Sequence, residues 1–346
     1  MDTQNHFYGH STVLARYAGL RRPRHLAGLL QHGWTALSPL EVNFGDFPRV
    51  GAEGDARRLL VWSHASRAWD PQTQDRPSTA IGAPWLYLAR MLRPTLPPHD
   101  PAASPLVIPM HGTHVARLDA DPAAMARFYR DSLGPATICL HVEDLGHRDL
   151  VAAWSLPGNE IVSAGSRFDP LFLVRLLTGM AAAGRVVSNR LQTAVWYAIA
   201  IGVPASVHGP VPRIRGESEA ALERLRATWP EVHGEGVPLA RTAPLADDEL
   251  GARYLRPAEQ VRALAGWAPP VSPRAFADYW AAAPVDKALR VLGVRERVAV
   301  SAPERSGVVA APRPVDFLKH PLSHLPRHLP WRGWDGRAVD WVRPAP

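Results

Sequence analysis

The sequence predicts an α/β fold, and three observations lead there. Short apolar runs of strand length recur through the first two thirds of the chain, helix-length amphipathic segments separate them, and Gly, Pro, Asp or Asn marks most boundaries. Strands regularly separated by helices form parallel βαβ units with right-handed crossovers. A length of 346 residues points to about two domains. With 46% apolar and 21% charged residues the chain can bury a core, which excludes a disordered or fibrous class.

The first helix is expected over 11–18, followed by strands over 26–32 and 59–63 and a helix over 84–92. Residues 92–105 hold five prolines, which remove backbone donors and fix φ, so this stretch reads as an interdomain linker. Strands are then expected over 106–110, 137–141, 160–163, 185–188 and, more weakly, 204–208. Helices over 122–132, 149–155, 170–183 and 192–201 fall between them. Asp121-Pro122 and Asp169-Pro170 each supply an N-cap carboxylate followed by proline at the first helical position. Gly184 is expected to stop one helix, and Gly202 with Pro204 the next. Beyond 210 the pattern loosens: helices are expected over 217–228, 257–264 and 273–295, then a tail rich in Pro, Arg and Trp.

Composition narrows the function classes. No apolar run approaches the ~20 residues of a membrane span, and the first twenty residues lack a signal peptide's apolar stretch, so a cytoplasmic location is expected. The single cysteine, Cys139, lies in an apolar strand, reads as a buried small hydrophobe and excludes a cysteine-rich zinc site. The formal charge of +7 rests almost wholly on arginine, since Lys287 and Lys319 are the only lysines. Arginine suits phosphate or sugar-phosphate contact, while the scattered arginines show no nucleic-acid-reading motif. Gly-x-Ser-x-Gly, Gly-x-Gly-x-x-Gly after an early strand and a P-loop are all absent, which disfavours a serine hydrolase, a dinucleotide oxidoreductase and a P-loop nucleotidase.

In open α/β sheets ligands bind beyond the carboxyl ends of the strands. Four segments fall at such ends: 31–34 with His32 and Gly33, 111–114 with His111, Thr113 and His114, 141–147 with Glu143 and Asp144, and 188–193 with Ser188, Asn189 and Thr193. In the last, Ser188, Asn189 and Thr193 stand at the start of a helix, whose free N–H groups and dipole favour an anion such as a diphosphate. Asn189 as a plain helix cap is the equal alternative. His111 and His114 have metal spacing, but two imidazoles without a carboxylate do not make a zinc site.

The run Ser188-Asn-x-x-x-Thr193-Ala-x-x-Tyr197-Ala-x-x-x-Gly202-x-Pro204, preceded by Ser163-Ala-Gly165-Ser-Arg167-x-Asp169-Pro170, resembles the donor-binding domain of GT-B glycosyltransferase-like proteins of polysaccharide and cell-envelope gene clusters. Tyr8-Gly-His10-Ser11, the Gln31-His32-Gly33 strand end, residues 81–87 and Pro109-x-His111-x-Thr113 are similar to that group's N-terminal and crossover motifs. The resemblance covers roughly residues 5–210. It implies two Rossmann-like domains facing across a cleft, an acceptor domain over 1–100 and a nucleotide-sugar domain over 101–300, with 301–346 packing across the body.

It also implies a glycosyltransferase that moves a sugar from a nucleotide diphosphate to a hydroxyl or amine acceptor, glycan or lipid-linked ones included, without metal or other cofactor. His32 and Glu143 would then be catalytic, with His32 as base. His111, Thr113, Gly165, Arg167, Ser188, Asn189 and Thr193 would hold the donor, and His10, Ser11 and Gly33 the acceptor. Several of these residues keep a structural reading beside this one: Ser11 as a helix cap, Arg167 as the salt-bridge partner of Asp169, Glu143 and Asp144 as a solvated loop. Epimerisation or hydrolysis of a nucleotide sugar, and a binding protein without turnover, stand as alternatives. Trp331, Trp334 and Trp341 suit either peripheral membrane contact or an intramolecular clasp.

Overall fold

The structure is a computed structural model that describes residues 3–24, 26–45, 57–73, 76–111, 118–214, 217–268 and 333–344, with isolated positions elsewhere. Thr113 and His114, most of the expected helix 273–295, and Trp331 lie outside the described residues.

The N-terminal part comprises α1 (His10–Tyr17), β1 (Leu29–Leu30), α2 (Pro39–Val42), β2 (Leu59–Val61), β3 (Ser78–Ala80) and α3 (Pro84–Leu92). β1, β2 and β3 form a three-stranded parallel sheet in that order. α3 starts on a proline at its first position and buries Trp85, Leu86, Tyr87 and Leu88. Next come β4 (Leu106–Val107), β5 (Leu118–Asp119), α4 (Pro122–Leu133), β6 (Thr137–Cys139), α5 (Arg148–Trp154), β7 (Glu160–Val162), α6 (Phe172–Ala181), β8 (Val186–Ser188), α7 (Thr193–Ala200) and β9 (Ala205–Val207). The chain continues through β10 (Arg213–Ile214), α8 (Glu219–Thr228), α9 (Leu239–Leu250) and α10 (Ala258–Leu264).

The second sheet has the order β7-β6-β4-β8-β9, all parallel, while β5 and β10 make a separate antiparallel pair. That order is doubly wound: the chain steps outward from β4 to β6 and β7, then returns to the other side of β4 for β8 and β9. The switch point, where such folds bind ligands, is therefore the crevice between the carboxyl ends of β4 and β8.

All seven expected strands and eight of the expected helices form. The largest omission is α9, where Pro244 stands inside a helix whose buried face holds Thr242, Ala246, Glu249 and Leu250. β3 is too short and polar to announce itself. Asp121 caps α4 as expected, accepting from the N–H groups of Ala123 and Ala124. Asp169 does not cap α6. It closes a turn on the Leu171 N–H at 2.9 Å, and the helix begins only at Phe172. Nor does Gly184 act as a helix stop: a Cβ there would overlap the Ala103 carbonyl, so close backbone approach explains the glycine.

The two parallel sheets are unequal, with three and five strands, and they share a core. One apolar cluster joins Leu30, Leu60 and Trp62 of the first sheet region to Leu106, Val186 and Val195 of the second. The 239–268 segment, assigned to the second domain, also packs against the first: the Ala27 N–H donates to the Ala265 carbonyl, and Arg262 donates to the Ala18 carbonyl. Among the described residues, no helix is long and apolar enough to cross a membrane.

Candidate functional site

A cavity of about 310 Å³ opens at the carboxyl ends of β4, β6, β7 and β8, facing the end of β1. It therefore lies at the switch point. Three helices begin on its wall. His10 opens α1, Phe172 and Leu173 open α6, and Thr193 and Ala194 open α7; all five residues line the cavity. None of the three helices has a side-chain cap on its first turn. Uncapped first-turn N–H groups and three positive dipole ends favour a negatively charged ligand.

Four imidazoles complete the polar lining: His10, His32, His111 and His141. Among the described residues, no Asp or Glu lines the cavity. The rings of His111 and His141 stack at 4.2 Å. Burial first, then the neighbouring His111 and Arg167, pull His141 down to about 3. Burial, with His32 beside it, pulls His10 down to about 3 as well. His32 itself is set by an edge contact with Phe7 at 5.3 Å and a tilted one with Phe47 at 6.0 Å. Four aromatic side chains, Tyr8, Trp34, Phe172 and Tyr197, share the remaining wall with aliphatic ones such as Ile108, Leu140 and Leu176, and Tyr197 stacks on Trp85 at 4.2 Å.

Tyr8 is the only non-glycine residue with positive φ among the described residues, at 57°. Such backbone costs on the order of 1–3 kcal/mol and persists only where its surroundings enforce it. Here the Tyr8 N–H donates to the Arg167 carbonyl at 2.5 Å, and Gly9 lies so close to the Pro170 carbonyl that a Cβ would overlap it.

The structure brings His10, His32, Gly33, His111, Gly165 and Thr193 together around this cavity. Gly165, at φ 101°, lets the backbone turn against the cavity. Arg167 lies on the adjoining loop. Its expected partner Asp169 pairs with Arg175 at 2.6 Å instead, and the Arg167 guanidinium rests over Phe7 and Phe168 at 5.1 Å each.

Other expectations are corrected. Ser188 and Asn189 are fully buried and turn away from the cavity. Asn189 accepts from the Met110 N–H at 2.8 Å and donates to the Met125 sulfur, while Ser188 Oγ accepts from Gln192 and donates to the Arg190 carbonyl. They tie the loops after β4 and β8 together and leave the cavity wall to Gln192, Thr193 and Ala194. Ser11 neither caps α1 nor reaches the cavity; its hydroxyl bonds His6 Nδ1 at 2.6 Å. Glu143 is exposed and outside the lining. The acid near the imidazoles is Asp144, pushed up by burial, in a second cavity behind the His111–His141 pair. Trp334 is buried and Trp341, half-buried, packs over Gly179, so both make intramolecular contacts of the kind a clasp needs.

Sequence reasoning missed Glu249. This carboxylate is 2% exposed and accepts from Trp34 Nε1 at 2.6 Å, Ser66 Oγ at 2.5 Å, Trp229 Nε1 at 2.9 Å and the Arg67 N–H at 2.9 Å. Thr193 Oγ1 holds the backbone of Trp34, accepting its N–H at 3.0 Å. Trp34, one wall of the cavity, is thus fixed from both α7 and α9. An acid at helical spacing with Thr242, Ala246 and Leu250 was the available signal.

No protein-family model matches the sequence, and no curated protein matches it. Among solved structures the chain is similar to CalG4, the calicheamicin glycosyltransferase, at 17% identity and a TM-score of 0.26. The alignment covers 70% of this chain and 54% of that one, about half its length.

Proposed function

We propose that the cavity binds the diphosphate of a nucleotide sugar and that the protein transfers the sugar to a hydroxyl or amine acceptor. The observation that carries this reading is the convergence of three uncapped helix N-termini at the switch point of a doubly wound sheet, on a cavity without a lining carboxylate. The diphosphate would meet the first turn of α7 at Thr193 and Ala194, with Gly165 and His111 alongside and Arg167 at the rim. The aromatic wall suits a sugar ring, and its exclusion of water protects the reacting carbon.

In the transfer step the acceptor oxygen or nitrogen bonds to the anomeric carbon as the bond from that carbon to the diphosphate oxygen breaks. The leaving diphosphate keeps the electron pair, and His32 takes the acceptor's proton. His10 and Gly33, on the side of the first sheet, would orient the acceptor. This reading gives Glu143 no role.

A thermal-shift panel of UDP, GDP, TDP, ADP and CMP, run with chelator and again with magnesium, tests the donor site. At least one nucleoside diphosphate should raise Tm, and the chelator arm tests the metal-independent form. Incubation with sugar nucleotides should then release the matching diphosphate, and His32→Ala should abolish release while keeping the thermal shift. No shift with any nucleotide would end this reading; a shift without turnover of any sugar nucleotide would favour a binding protein.

A further inference from the structure

The loop over residues 163–170 supplies Ser163, Ala164 and Gly165 to the cavity and carries Arg167. It leaves β7, an edge strand, and enters α6 with no side-chain cap, so its shape depends on what grips it from outside. Arg175, one turn into α6 and 11% exposed, provides one grip. Its Nη1 donates to the Ala164 carbonyl at 3.2 Å and to Asp169 Oδ2 at 2.6 Å, and its Nε donates to the Asp340 carbonyl at 3.0 Å.

The C-terminal segment provides the other. Val342 exchanges both backbone hydrogen bonds with Ser163, at 2.8 and 3.0 Å, adding an antiparallel partner where β7 ends. Trp341 fills the notch over α6 that Gly179 leaves open, since a Cβ there would overlap the indole. A Cβ at Gly165 would approach Arg175 Nη1 to 3.1 Å and Val342 Cγ2 to 3.7 Å, so strap and arginine both border the residue that lines the cavity. On its far face the loop grips Tyr8 and Gly9 through the Arg167 and Pro170 carbonyls, just before His10. A continuous set of contacts therefore runs from residues 340–342 to the first turn of α1.

We propose that Arg175 is a positioning residue for the cavity and that residues 339–343 are the strap it works with. Together they hold 163–170 in its ligand-binding shape, and undocking the strap loosens this wall while the sheet stays folded. The guanidinium fork is suited to the task because its planar donors reach three acceptors at once, two on the 163–170 loop and one on the C-terminal segment, which a lysine ammonium on a flexible stem does not reproduce. The functional part of this inference rests on the reading of the cavity as a ligand site.

Arg175→Lys, Val342→Pro and Gly179→Ala are compared with the full wild-type chain. Val342→Pro removes the N–H that donates to Ser163, and Gly179→Ala displaces Trp341, so these two test the strap if Arg175→Lys fails to fold. Hydrogen exchange should speed by about tenfold or more over 163–170 in each variant, with β4 and β8 unchanged. Affinity for the nucleoside diphosphate that best stabilises the wild type should fall about tenfold. Unchanged exchange over 163–170 overturns the inference, as does faster exchange with undiminished affinity. If no diphosphate binds the wild type, the earlier reading fails; the strap is then judged by exchange alone, where acceleration confined to 163–170 supports it and its absence overturns it.

Discussion

Glu249→Gln isolates the contribution of one buried carboxylate to the shape of the cavity. The carboxylate serves two donors on each oxygen: Trp34 and Ser66 on Oε2, and Trp229 and Arg67 on Oε1. An amide of the same shape offers one oxygen and one NH2 group. With its nitrogen toward Arg67 and Trp229 it would face two obligate donors, so it settles with the nitrogen toward Trp34 and Ser66, where the serine hydroxyl can reverse and accept. The Trp34 indole N–H is then left unpaired, at a cost of about 1–3 kcal/mol, and the remaining bonds lose their charge assistance, roughly another 1–2 kcal/mol. The expected loss is about 2–5 kcal/mol. Urea unfolding followed by tryptophan fluorescence reads it as a lower midpoint at constant slope. Because Trp34 walls the cavity, nucleoside diphosphate affinity should fall as well. A loss below about 1 kcal/mol would refute the reasoning, since it would mean that these donors find water or other partners without cost.

Three further outcomes are expected. Folding holds His10 and His141 down at about 3 against an ordinary 6.5, so below pH 6.5 the unfolded chain binds their protons first and stability falls as pH drops toward 3. The slope approaches roughly 1.4 kcal/mol per pH unit for each histidine between the two values; His10→Gln should flatten a urea-midpoint profile between pH 7.5 and 5.5, and an unchanged profile would contradict the assignment. Thr193→Val leaves the Trp34 N–H without its acceptor, so stability should drop by about 1–3 kcal/mol together with diphosphate affinity, as read by denaturation and calorimetry; no change in either would remove Thr193 from the site. Glu143→Gln should leave diphosphate affinity within about twofold of wild type, because the side chain is exposed and off the cavity; a tenfold loss would return it to the site.

Much of the fold was legible because its causes are local. Asp121 caps α4 with its own next residues, and the apolar runs of β6 and β8 need only their neighbours to read as buried parallel strands. α9 escaped because the Pro244 signal is local while the helix's anchorage is not: Glu249 near its far end is held by Trp34, Ser66 and Trp229 from three other segments. The candidate site was legible as a set of strand ends, which is why His32, His111, Gly165 and Thr193 meet.

Which residue at each strand end faces outward was another matter. Side chains alternate across a strand and then leave it through an irregular turn, so one position decides between core and cavity. Ser188 and Asn189 turn inward to stitch β4 to β8, and Thr193, a few residues on, reaches the cavity and a tryptophan 159 positions away. By itself the sequence determined the elements, their parallel α/β class and the ends where ligands gather, because periodicity and capping act over a few residues. Only the tertiary structure decided the four-imidazole lining, the Glu249 anchor and the strap on Gly165. Each depends on groups far apart in the chain meeting within hydrogen-bonding or packing distance, and no local pattern encodes that distance.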